Sequence, residues 1–112
     1  IYQIALEYID QIYDLIKTLP SEERYNLNSQ LIRSATSIAL NIAEGSTSQS
    51  DKEQARFLGL ALRSYLESVA CLDLMQRREY VSEAGLISTR KTGRTLFYKI
   101  TRCRKAILGK QT

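Results

Sequence analysis

The sequence predicts an all-α fold, an antiparallel up-down-up-down four-helix bundle formed as a single domain over residues 1–112. Apolar residues recur at spacings of three and four in four successive stretches, which is the period of an amphipathic helix. The connections between the stretches are short, and short connections make consecutive helices antiparallel neighbours. One proline and five glycines are too few for an all-β chain of this length, which needs a turn about every 8–12 residues.

The first helix is expected over residues 1–18. Ile1, Ala5, Tyr8, Ile12, Leu15, Ile16 and Leu19 form its apolar side, and Glu7, Asp10, Asp14 and Lys17 take the other. Pro20 stops it, because a proline disfavours helix in the residue before it. Ser21 followed by Glu22 and Glu23 suits a short helical turn, with a capping hydroxyl and early acids at its start. The second helix is expected over residues 28–44, with Asn28 or Ser29 as N-cap. Leu31, Ile32, Ala35, Ile38, Ala39, Leu40, Ile42 and Ala43 make it apolar almost all round, the pattern of a helix buried on several sides. Its polar residues Arg33, Ser37, Asn41 and Glu44 fall on one narrow stripe.

Gly45 is expected as the C-cap of this helix. Ser50 and Glu53 have the spacing of a capping box, opening a third helix over residues 51–78. Leu58, Ala61, Leu62, Tyr65, Val69, Leu72 and Met75 form its core face, and Arg77, Arg78 and Glu79 end it in solvent. Ser82 is the expected N-cap of the fourth helix, residues 83–108, with Leu96, Ile100, Cys103 and Ile107 as its core stripe. Gly93 lies on the same side. It either permits close approach of a neighbour or weakens the helix by about 1 kcal/mol. The second and third helices are the expected central pair.

Composition narrows the function. No apolar run approaches the roughly 20 residues that span a bilayer, and no stretch reads as a signal peptide. A cytoplasmic location without membrane contact is therefore expected. Cys71 and Cys103 stand singly, and the chain has no histidine. That argues against a zinc site and removes the commonest general base and the Ser–His and Cys–His nucleophile pairs. No enzymatic activity and no cofactor are expected. Charge is divided unevenly. Residues 1–83 hold 8 Lys/Arg and 12 Asp/Glu, whereas residues 84–112 hold 8 Lys/Arg and no acid. Such asymmetry suggests a polyanion or an acidic protein surface as partner.

Three features could carry chemistry. The loop NIAEGSTSQSDKE (residues 41–53) lacks the Gly-Lys-Ser/Thr of a P-loop, and Asp51 and Glu53 already occupy the positive end of the next helix. Glu44 and Glu67 could form a carboxylate pair for acid–base work or a di-metal site. A bundle di-metal site usually adds Glu-x-x-His, so the preferred reading is a structural polar network of Arg33, Ser37, Asn41, Glu44, Ser64 and Glu67 inside the bundle. The third feature is the fourth helix. At about 100° per residue, Lys91, Arg94, Tyr98, Arg102 and Lys105 share one face opposite the core stripe. The cations would neutralise phosphates and Tyr98 would stack on an exposed base. This predicts salt-dependent RNA or DNA binding led by the nucleic-acid backbone. The alternative is a protein-interaction scaffold whose basic face meets an acidic partner or a neighbouring subunit.

The run SQLIRSATSIALNIAEGSTSQSDKEQARFLGLALRSYLESVACL (residues 29–72), with SEERYNL (21–27) upstream, resembles the signature of the bacterial four-helix bundle protein family. That family includes proteins encoded in intervening sequences of 23S ribosomal RNA genes. The resemblance is most specific at Ser37, Asn41, Glu44, Gly45, Ser50, Glu53, Phe57, Leu58, Ala61, Ser64 and Glu67. Arg63 departs from it, because the family commonly has glycine there. The resemblance implies an up-down-up-down bundle and assembly into a homopentamer, as in the related accessory proteins of diversity-generating retroelements. Those relatives work with a reverse transcriptase and its RNA. It implies no established enzymatic activity.

Overall fold

The computed structural model describes residues 1–47 and 50–109. Its helices are α1 (Tyr2–Ile16), α2 (Leu27–Ser46), α3 (Asp51–Arg77) and α4 (Glu83–Gly109), with a 3₁₀ turn over Ser21–Glu23 between α1 and α2. Each helix packs on its chain neighbours, and α1 also packs on α4, which closes a square. Contacts between neighbours run in opposite directions. Ser64 meets Ser37 near where Phe57 faces Gly45, and Arg104 meets Ala55 where Arg90 meets Asp73. The arrangement is the expected antiparallel four-helix bundle.

The core forms where the four apolar faces meet. Ala5, Tyr8 and Ile12 of α1, Leu31, Ala35 and Ile38 of α2, Ala61, Leu72 and Met75 of α3, and Leu86, Leu96 and Ile100 of α4 are essentially inaccessible to solvent. Burying one large aliphatic side chain contributes about 1.5–3 kcal/mol, so these layers dominate the stability. Tyr8 reaches across the diagonal to α3, where its hydroxyl and Ser68 Oγ lie 2.7 Å apart. Ser68 in turn donates to the Tyr65 carbonyl at 2.6 Å. A buried hydroxyl without a partner is costly, and this chain of bonds avoids that cost. Gly93 takes the close-approach role, since a Cβ there would lie 2.9 Å from ring carbons of both Tyr8 and Tyr65.

Several local expectations are corrected. Gly45 is not a C-cap. Helix α2 continues through Ser46 to a cap at Thr47, and Gly45 is buried against Phe57, where a Cβ would come within 3.2 Å. The glycine is thus needed for helix approach, not for a left-handed turn. The left-handed residue is Glu79, at φ 62°. It closes α3 with Tyr80 N–H donating to the Met75 carbonyl and Glu79 N–H to the Gln76 carbonyl, both at 3.0 Å, the pattern of a Schellman cap. The α2 N-cap is Asn26, not Asn28 or Ser29. Only half of the capping box forms. The Glu53 N–H donates to Ser50 Oγ at 3.1 Å, but the Glu53 carboxylate accepts from Arg56 at 2.6 Å. Ser82 does cap α4, accepting from the Gly85 N–H at 3.0 Å. Ser48 and Gln49 of the loop lie outside the described residues.

Helix α2 is not buried on several sides. Leu40 is 62% exposed, and Tyr25, Leu66 and Leu74 are also largely exposed. In the square each helix packs on two others, so the outer apolar residues of α2 and α3 have no cover within one chain. Among the described residues no helix is long and apolar enough to cross a membrane. Cys71 and Cys103 are both free thiols, Cys71 buried and Cys103 half-buried.

Candidate nucleic-acid interface

The side chains of Lys91, Arg94, Tyr98, Arg102 and Lys105 are all exposed on one side of α4. From Lys91 to Lys105 the helix rises about 21 Å, at roughly 1.5 Å per residue. The side opposite is occupied by Leu96, Ile100 and Ile107 in the core, and this packing leaves the basic side facing water. Among the described residues none of these four cations makes an ion pair; those formed are Lys17–Asp14, Arg56–Glu53 and Arg90–Asp73. The Arg102 guanidinium lies 5.6 Å from the Tyr98 ring centroid. One helical turn separates the two, so the ring already carries a cation, an arrangement worth about 0.5–1 kcal/mol at an exposed site.

Two other arginines of α4 do not belong to this surface, although total charge alone would count them. Arg90 donates to Asp73 at 2.8 Å and to the Gln76 side chain at 3.3 Å, holding α4 on α3. Arg104 crosses Gly59 and donates from Nε to the Ala55 carbonyl at 3.0 Å; a Cβ at Gly59 would lie 3.2 Å from that nitrogen. The sequence contains a signal for both. Arg90 and Arg104 each stand four residues after a core position, Leu86 and Ile100, so they flank the buried stripe and reach sideways to α3.

The network on α2 and α3 forms in part. Asn41 Nδ2 donates to the Ser37 carbonyl at 2.8 Å and to Ser37 Oγ at 3.1 Å. Ser64 donates to Ser37 Oγ at 2.9 Å, tying α3 to α2. Arg33, Glu44 and Glu67, expected inside the bundle, instead sit on its outer surface. Long charged side chains have a route to water from the rim of the helix pair, and burial would remove their hydration. Glu44 and Glu67 are not brought into one site either. Glu67 lines a shallow pocket with Gln30, Arg33 and Cys71, whereas Glu44 lies beside Leu40, Ala43 and Thr47. Among the described residues no group of three His, Cys, Asp or Glu side chains is placed to hold a metal ion. Burial pushes the Cys71 thiol up, with the Glu67 carboxylate adding to the effect and Arg33 opposing it. It is a packed thiol, not an activated one.

The fold is shared with a solved structure. A protein of unknown function from the S23 ribosomal protein family of Bacteroides thetaiotaomicron has a crystal structure that matches with a TM-score of 0.85 at 28% identity. The match covers 93% of this chain and 97% of that one. No curated protein matches the sequence. The model of the 23S rRNA-intervening sequence protein family matches residues 1–102, from the start of α1 to Arg102 of the basic stripe, and the chain belongs to that family.

Proposed function

We propose that this chain is a non-enzymatic, cytoplasmic, self-associating bundle that binds nucleic acid, most readily structured RNA, through the exposed face of α4. The observation that carries the reading is the stripe itself: Lys91, Arg94, Arg102 and Lys105 are exposed on one face and make no ion pair among the described residues. Unpaired cations aligned over about 21 Å match the repeating charge of a phosphate backbone. They offer no fixed donor array for reading base edges, so affinity would come from phosphate contact and counterion release. Tyr98, already paired with Arg102, would add stacking to an unpaired base.

The absence of histidine and the separation of Glu44 from Glu67 support a role without catalysis. Self-association is supported by the uncovered apolar side chains of Leu40 on α2, Leu66 and Leu74 on α3, and Tyr25 just before α2. A homopentamer, and a partnership with a reverse transcriptase and its RNA, rest on the family resemblance.

The test is a salt titration of RNA affinity. The logarithm of the affinity is expected to fall linearly with the logarithm of salt concentration, with a slope of about −3 if four cations each release most of one counterion. Charge reversal at both Arg94 and Arg102 should abolish binding. Arg104→Ala, which removes a cation committed to packing, should leave the slope unchanged. Absent or salt-insensitive binding by the intact oligomer refutes the proposal. An acidic protein bound in place of RNA, losing affinity in the same charge reversals, would favour the scaffold reading.

A further inference from the structure

A cavity of about 200 Å³ opens between α1, α3 and α4. It is lined by Tyr8, Tyr65, Val69, Leu72, Arg90 and Arg94. Liquid water occupies about 30 Å³ per molecule, so the space would hold roughly six waters or a compact polar group with fewer. Its walls are two aromatic rings and two aliphatic side chains; its polar groups are two guanidiniums and two hydroxyls. The Tyr8 hydroxyl is satisfied by Ser68 at 2.7 Å. Tyr65 is 7% exposed, and its hydroxyl has no hydrogen-bond partner among the described residues. The hydroxyl is not sealed from solvent, since among the described residues the one buried side-chain polar atom left without a partner is Oε1 of Gln11; it is a donor open to whatever enters the cavity.

The charge at the cavity is also incompletely balanced. Arg90 and Arg94 are one helical turn apart, a spacing at which like charges disfavour each other. Asp73 accepts from Arg90 at 2.8 Å. Arg94 has no ion-pair partner among the described residues, so one positive charge beside the cavity stays uncompensated. Both guanidiniums act electrostatically on the Tyr65 phenol, countering the burial that pushes its acidity down.

From the unpartnered Tyr65 hydroxyl and the uncompensated Arg94 guanidinium on one half-enclosed cavity, we infer that it binds a phosphate monoester. A terminal phosphate presents three non-bridging oxygens. They would accept from Tyr65 Oη, from Arg94, and from the N–H groups of Arg90 not engaged by Asp73 and Gln76. A carboxylate, with two oxygens, would leave one of these directions unused. Only the end of a chain or a small phosphorylated molecule can enter, because an internal phosphodiester would have to bring both flanking sugars between the helices. The site shares Arg94 with the exposed stripe but does not depend on the stripe binding RNA.

The test uses calorimetric titration of the intact protein with inorganic phosphate at constant ionic strength, and with one short oligoribonucleotide carrying either a 5′-phosphate or a 5′-hydroxyl. Saturable phosphate binding is expected, weakened at least tenfold by Tyr65→Phe, which removes one oxygen and keeps the ring, and by Arg94→Gln. A tenfold preference for the 5′-phosphorylated oligonucleotide, lost in Tyr65→Phe, would assign the site to a nucleic-acid end. Phosphate binding without that preference would assign it to a small phosphate ester. No saturable phosphate binding together with no end preference, or affinities unchanged in both variants, overturns the inference. The salt slope of RNA binding in Tyr65→Phe reads the stripe separately, so loss of one property is not mistaken for loss of the other.

Discussion

Gly93→Ala sets two effects of known size against each other. In an exposed helix interior, alanine is favoured over glycine by about 1 kcal/mol. Here the added Cβ would lie 2.9 Å from Cε1 of Tyr65 and 2.9 Å from Cε1 of Tyr8. Carbon atoms pack best at about 3.5–4.0 Å, so both rings must retreat by at least roughly 0.6 Å. Both rings border the cavity between α1, α3 and α4, but each is held in place by its other contacts. Tyr8 is fully buried and held by Ser68 at 2.7 Å. Tyr65 lies between Tyr8 and Phe97, with ring centroids 6.0 and 5.2 Å away. Overpacking costs about 1–3 kcal/mol, and a weakened buried hydrogen bond adds about 1 kcal/mol. Packing therefore wins over propensity, and net destabilisation of about 1–3 kcal/mol is expected. Urea denaturation followed by circular dichroism should show a lower midpoint with an unchanged m-value, which separates a native-state effect from a change in the unfolded chain. Gly109→Ala is the reference, since a Cβ there meets nothing within 4 Å. A Gly93→Ala protein as stable as the parent, or more stable, would refute the packing argument.

The Tyr8 hydroxyl should make stability fall in alkali. Burial raises its pKa far above the ordinary phenol value, with only partial opposition from the Ser68 hydrogen bond. Its contribution is fully present below the unfolded pKa of about 10 and is lost as pH rises from there toward the folded value. The urea midpoint between pH 9 and 11 should decline less steeply in Tyr8→Phe, and an identical decline would exclude the residue as the cause. Glu79→Gly should stabilise the protein by about 1 kcal/mol, because glycine removes the cost of a side chain at φ 62° in the left-handed region. A drop in melting temperature would show that the Glu79 side chain contributes more than the strain costs. The proposed self-association predicts that Leu40→Glu lowers the assembly state seen in sedimentation velocity while changing protomer stability by less than about 0.5 kcal/mol, as for other exposed substitutions. An assembly unaffected by the charge would place the subunit interface elsewhere.

The sequence by itself determined the helices, their order and the faces they bury, because period and capping are local properties. Tyr8, Ile12, Leu72, Leu96 and Ile100 were all legible as core, and Ser50 and Ser82 as caps. The basic side of α4 was legible too, since residues opposite a clean apolar stripe face away from the core. Only the tertiary structure decided what depends on a second helix. Gly45 resembles a C-cap in sequence, but the nearness of Phe57 makes it a contact residue. The left-handed cap falls on Glu79, where nothing in the residue type announces it. The place of Arg90 and Arg104 beside the core stripe is legible in the sequence, but their partners, Asp73 and the Ala55 carbonyl beside Gly59, are not. Glu44 and Glu67 share a helical stripe with Asn41 and Ser64, yet only the short side chains fit between α2 and α3. The cavity beside Tyr65 and Arg94 has no counterpart in the sequence pattern, because α1, α3 and α4 each supply part of its wall.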